Sequence, residues 1–138
     1  MDSDGDSDSD PFSDEEDNEE SFNTDLQRMK ENSPLATRLV GDGEYNYFQN
    51  MNDEGWEELG SYLSSNTHLQ ELHLCGDTLN DQTIVSLFRG LTSSNTIGEI
   101  YFRDNGLSAA GVRSMVPFLQ NSSRLNFLNL SHNNITSR

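Results

Sequence analysis

The sequence predicts an α/β solenoid, with short parallel strands on a concave face and helices on a convex face, preceded by a disordered acidic tail. Three observations carry this. The first is a period of 28 residues: Met51, Leu79, Leu107 and Ile135 are spaced by 28, as are Trp56, Ile84 and Val112, then Leu59, Leu87 and Met115, then Leu63, Leu91 and Leu119. Several apolar columns at one spacing mark a structural unit copied along the chain. The second is that each unit divides into a half that alternates apolar and polar residues and a half with apolar spacings of three and four, the signatures of strand and helix. The third is that residues 1 to 25 contain twelve Asp or Glu and no Lys or Arg.

Residues 1–25 read as a disordered acidic tail. Asp2 to Asp10 alternates Asp with Ser or Gly, and Asp14 to Glu20 is nearly continuous carboxylate, so apolar burial is too small to offset chain entropy. Residues 26–44 form a transition or N-terminal cap. Leu26, Met29, Leu35, Leu39 and Val40 are scattered among Pro34, Gly41 and Gly43. A short helix near Thr24 to Glu31 is expected, and its role is to cover the open apolar end of the first repeat, because terminal repeats of a stack need atypical caps.

Residues 45–138 form the repeat domain. The extended halves read Leu69, Leu72, Leu74, Asp77, Leu79; then Ile97, Ile100, Phe102, Asn105, Leu107; then Leu125, Leu128, Leu130, Asn133, Ile135. Alternation at the central pair sends both apolar residues to one face of a short strand. The helical halves read Ile84, Leu87, Phe88, Leu91, then Val112, Met115, Val116, Leu119, with Asn80 or Asp81 and Ser108 placed to cap them. The first unit has its helix in Trp56, Leu59 and Leu63, but Gly41, Glu44 and Asn46 stand where the strand's apolar residues belong. No strand is expected there. At the other end Arg138 arrives as the third complete repeat should begin its helix, which leaves that strand uncovered and suggests a piece of a longer repeat protein.

The pattern LxxLxLxx(N/D)xL, joined to a full helix in a 28-residue period, resembles the leucine-rich repeat proteins, and among them the ribonuclease-inhibitor-like subclass. The resemblance covers roughly residues 45 to 138 and implies protein ligands held on the strand face. Asp77 departs from it, standing where the family has Asn. A carboxylate accepts hydrogen bonds but cannot donate to a neighbouring turn, so this turn is expected to be held less well.

Charge narrows the partners. The net charge is −16, mostly from the tail, and a single Lys, Lys30, leaves no basic patch for nucleic acid. The tail repels anionic membranes and attracts basic proteins in a salt-dependent way, although a purely solubilising tail accounts for the same composition. Ser3, Ser7 and Ser13 each precede an acid by three residues, an arrangement resembling acidophilic kinase sites, and phosphorylation there would add to the tail's charge. Cys75 is the only cysteine, and the chain start has neither a basic nor an apolar leader, so an intracellular protein, cytoplasmic or nuclear, is expected without disulfides. The sequons at Asn121, Asn129 and Asn134 then have no use.

Catalytic and metal chemistry find little footing. Asp4, Asp6, Asp8, Asp10 and Glu15 approach calcium-loop spacing, but Ser9 stands at the turn position where Gly is needed and Pro11 follows. His73 and Cys75 share a strand face, yet the aligned positions offer Tyr101 with Arg103 and Asn129 with Ser131, so the ligands are too few for zinc. No nucleophile, base and orienter assemble, and no glycine-rich phosphate loop precedes a helix. A non-enzymatic protein with no cofactor and no metal is expected.

What remains is the outward grid of the strands: Glu71, His73, Cys75; Glu99, Tyr101, Arg103; Phe127, Asn129, Ser131. Tyr101, Arg103 and Phe127 are residue types enriched at interface hot spots. The leading expectation is a protein-protein interaction module using this concave face. Two others follow from different features: a small-GTPase regulator, because such repeats with an acidic segment also resemble Ran-type GTPase-activating proteins, and a tail-driven chaperone of basic proteins.

Overall fold

A computed structural model describes residues 22–42, 51–92 and 94–135. Its elements are α1 (residues 22–30), β1 (Arg38–Asp42), α2 (Asp53–Ser65), β2 (Glu71–Cys75), α3 (Asp81–Gly90), β3 (Glu99–Tyr101), α4 (Ala109–Arg113), α5 (Val116–Asn121) and β4 (Phe127–Asn129). The chain is mixed α/β, and among the described residues four strands make one sheet in the order β1-β2-β3-β4. Every neighbouring pair is parallel. The acidic residues and serines of 1–21, Ser3, Ser7 and Ser13 included, lie outside the described residues, as do residues 43–50 and 136–138.

The register puts Leu39, Leu72, Ile100 and Leu128 in one row. Leu39, Leu72, Leu74, Ile100 and Phe102 are fully buried among Trp56, Leu59, Leu63, Ile84, Leu87, Leu91 and Met115 from the helical segments. One face of the sheet is therefore covered by helices, and the alternate residues point away from them. Phe88 joins α3 to its neighbours, meeting Phe102 and Phe118 edge-on with ring centroids 6.2 and 5.5 Å away, a favoured geometry for aromatic pairs.

One expectation fails at the first unit, which does have a strand. Leu39 in β1 supplies the inward side chain, and Gly41 takes the place that Leu74 holds in β2. The step from Leu39 to Leu72 is 33 residues, whereas Leu72 to Ile100 and Ile100 to Leu128 are each 28. Counting back by 28 therefore lands on Glu44, beyond the strand's end. The disorder expected over residues 1–25 does not hold from residue 22, where α1 begins: Phe22, Met29 and Ala36 enter the same core ahead of β1, and Asn66 Nδ2 donates to the Met29 carbonyl at 2.8 Å.

Caps define the helix starts. Asn52 accepts from the Gly55 amide, Asn80 forms a reciprocal box with Thr83, and Ser108 accepts from the Ala110 amide. The last helical half is broken into α4 and α5. Pro117 has no N–H, and its ring would meet the carbonyl of residue 113 in a continuous helix; Ser114 and Met115 instead close tight i to i−3 bonds on Gly111 and Val112. Met115 stays buried through the break.

Helices α2 and α3 cross in close backbone contact. A Cβ on Gly60 would strike the Leu87 carbonyl oxygen and the Leu91 nitrogen, and a Cβ on Gly90 would strike the Glu57 carbonyl oxygen and the Ser61 nitrogen. Glycine is needed at both for the helices to approach this far.

Two asparagines tie successive turns together. Buried Asn105 donates from Nδ2 to the carbonyls of Leu74, Phe102 and Arg103 and accepts from the Leu79 amide. Asn133 repeats this one unit later, donating to Phe102 and Leu130 and accepting from the Asn105 and Leu107 amides. Asp77, at the matching place in the preceding unit, is exposed with φ 63. Its turn is held by backbone bonds from Gly76 and Asp77 to the Arg103 and Asp104 carbonyls, and by Thr78 Oγ1 donating to the Cys75 carbonyl at 2.7 Å.

Candidate functional site

The face of the sheet turned away from the helices is the candidate interface. Strand alternation makes it: if Leu72, Leu74 and Ile100 go inward, then Glu71, His73, Cys75, Glu99 and Tyr101 must go outward, and all five are half-buried. Register then sets the neighbours. Arg38, Glu71, Glu99 and Phe127 form one row, and Val40, His73, Tyr101 and Asn129 the next.

An aromatic run crosses these rows. The His73 imidazole stacks on Tyr101 with centroids 4.1 Å apart and planes 16° from parallel. Tyr101 meets Phe127 at 5.1 Å and 41°. Phe127 keeps 44% of its surface exposed, and Val40 at the other end keeps 39%. The packing of Phe127 is thus partial: it leans on Tyr101 and still presents a ring to solvent.

Polar contacts pin the run. His73 Nε2 lies 3.0 Å from Glu71 Oε1, and the Tyr101 hydroxyl donates to Glu99 Oε1 at 2.6 Å. Cys75 Sγ donates to the Tyr101 carbonyl at 3.3 Å. The phenol of Tyr101 is raised above its ordinary 10.0, first because it donates to the Glu99 carboxylate, then through desolvation and the negative charges of Glu99 and Glu71. Tyr101 is a neutral donor at physiological pH.

The sequence-derived grid divides on inspection. Glu71, His73, Glu99, Tyr101 and Phe127 touch one another in a chain, whereas Arg103 stands exposed past the end of β3. Asn129 and Ser131 engage each other, with Ser131 Oγ donating to Asn129 Oδ1 at 2.7 Å. Arg38 and Val40 belong to the face and were missed, because the first unit's strand was not foreseen. Along the strands' starting ends, a groove of about 490 Å³ runs past Thr37, Gln70, Glu71, Gly98, Glu99 and Asn126. Among the described residues, no three of His, Cys, Asp and Glu gather as a metal-binding group, and no helix is long and apolar enough to cross a membrane.

No family model matches the chain, and no curated protein does. Among solved structures, one described as leiomodin-1 actin-binding site 2 is similar in fold, with a TM-score of 0.66 at 19% identity. The similarity covers 81% of this chain and 62% of that one, so the chain spans less than two thirds of its neighbour's length. At this identity the likeness is one of fold.

Proposed function

We propose that this chain is a non-enzymatic protein-interaction domain of the leucine-rich repeat type, a solenoid whose open strand face receives a protein partner. The observation that carries the proposal is the aromatic run His73–Tyr101–Phe127 lying on the sheet face opposite the helices. Aromatic side chains give large contact area at small entropy cost, and with Arg they dominate binding energy at interfaces. Tyr101, Phe127 and exposed Arg103 are its anchors, and Glu71 and Glu99 set the charge of the partner it accepts. The parallel strands in sequence order, the 28-residue register and the asparagine turns support the repeat assignment.

The test is affinity capture with the intact chain against the intact chain carrying Tyr101→Ala, Arg103→Glu and Phe127→Ala, both first checked for equal circular dichroism. Loss of specific partners from the triple variant is expected. A partner list unchanged by it refutes the placement. Actin is the first purified protein to try, because the similar structure is described as an actin-binding site. Co-sedimentation with filaments and anisotropy with monomers cover both states of actin.

A further inference from the structure

The partner's chemistry can be narrowed, on the premise that the strand face is the working surface. Glu71 and Glu99 are register partners on adjacent strands. Each commits Oε1 within the protein, to His73 and to Tyr101 respectively. Among the described residues no Lys or Arg nitrogen comes within 4.0 Å of either carboxylate. Arg38 is included in that statement, although it is Glu71's neighbour in the register. Like charges at directly opposed positions repel, and partial burial weakens the screening that water would provide. The Tyr101 phenol is raised first by its hydrogen bond to Glu99, then by desolvation, and after these by the negative charges of Glu99 and Glu71.

The next position in that row is Phe127, with a ring 44% exposed. We infer that the Glu71–Glu99–Phe127 row binds an arginine side chain of a protein partner, its guanidinium fork on the carboxylates and its plane on the phenyl ring. Guanidinium suits this surface better than ammonium because it is planar, presents parallel donors to carboxylates and stacks on aromatic faces. The groove along the strands' starting ends gives the flanking peptide backbone a bed of neutral groups in Thr37, Gln70, Gly98 and Asn126. Arg124 also lines that groove, but its Nε donates to the Asn95 carbonyl at 3.2 Å.

The experiment is an amide-resolved NMR titration of the intact chain with acetyl-Gly-Arg-Gly-amide, and in parallel with acetyl-Gly-Lys-Gly-amide and with calcium chloride. Per-residue readout separates the strand face from the acidic start of the chain, which attracts any cation. Shifts centred on residues 71, 73, 99, 101 and 127 are expected, with the arginine peptide about threefold tighter than the lysine peptide. Glu71→Gln with Glu99→Gln should remove these shifts while the rest of the spectrum persists, and Phe127→Ala should bring arginine and lysine to parity. Shifts confined to residues 1–25, equal affinity for both peptides in the unmodified chain, or calcium binding at residues 71 and 99 more tightly than the arginine peptide each overturn the inference. If the triple variant loses its partners while the arginine peptide leaves the face unshifted, the interaction surface stands and its arginine specificity falls. If the peptide binds there and capture is unchanged, the arginine site stands and the broader reading falls.

Discussion

Asn105 and Tyr101 show two ways in which one side chain settles a local structure. Asn105 is nearly fully buried and spends its amide protons on three carbonyls from two successive turns. Asn105→Asp keeps the shape, removes every donation and places a charge where water is absent, so it should cost about 3 kcal/mol or more. Asp77→Asn, at an exposed position of the same column, should stay within about 0.5 kcal/mol of the parent; urea unfolding of the two variants checks the contrast. The expectation of a weaker hold at Asp77 rests on residue type, because a carboxylate has no proton to donate to a neighbouring turn. Tyr101 gives the pH-dependent case. An acid whose folded pKa is raised contributes stability below its unfolded value near 10.0, and that contribution is lost as pH rises through the folded value. In ultraviolet titration, the difference between the parent and Tyr101→Phe should have its midpoint above 10.0, and Glu99→Gln should lower it.

Elements were legible where their pattern is internally repeated, and hidden where the cause lies in another element. Strands β2, β3 and β4 follow from alternation and a strict 28-residue step. Strand β1 escaped because the unit holding it is five residues longer, a length that no local propensity records. The split between α4 and α5 has its signal in Pro117, which a reading of the apolar columns alone does not register. The α2–α3 crossing was not readable at all: Gly60 and Gly90 sit in helices where glycine is intrinsically poor, and only the neighbouring backbone explains them. Gly60→Ala and Gly90→Ala should each destabilise by about 1–3 kcal/mol through overpacking, opposite in sign to the helix propensity of alanine, which is better by about 1 kcal/mol. Chemical denaturation of each variant against the parent decides between the two effects. The aromatic run was half legible. Tyr101 falls in the column of His73, but Phe127 occupies the column of Glu99 and reaches Tyr101 on a diagonal, a contact that a strictly columnar reading does not draw.

At the scale of the whole molecule, burial is graded across the sheet. Leu72 in β2 and Ile100 in β3 are fully covered, whereas Leu125, Leu128 and Leu130 around β4 are only partly so. Opening free energy follows buried contacts, so hydrogen exchange in this chain should be faster for the amides of β4 than for those of β2. Equal protection would mean that the sheet opens as one unit. The net charge of −16 adds that association with a basic partner should weaken as salt rises, because exposed charges are screened beyond roughly 10 Å at 0.1 M salt. The register also has a bearing on how such a surface grows. Gly76, Asp104 and His132 occupy matching turns, all with positive φ between 59° and 69°, so on the proposed repeat reading residues 76–103 are one cassette. Duplicating that cassette after Arg103 would insert one strand and one more tyrosine beside Tyr101, widening the face by about 4.8 Å. On the proposed repeat reading, the footprint offered to a partner would be a counted quantity, set by how many cassettes the chain carries.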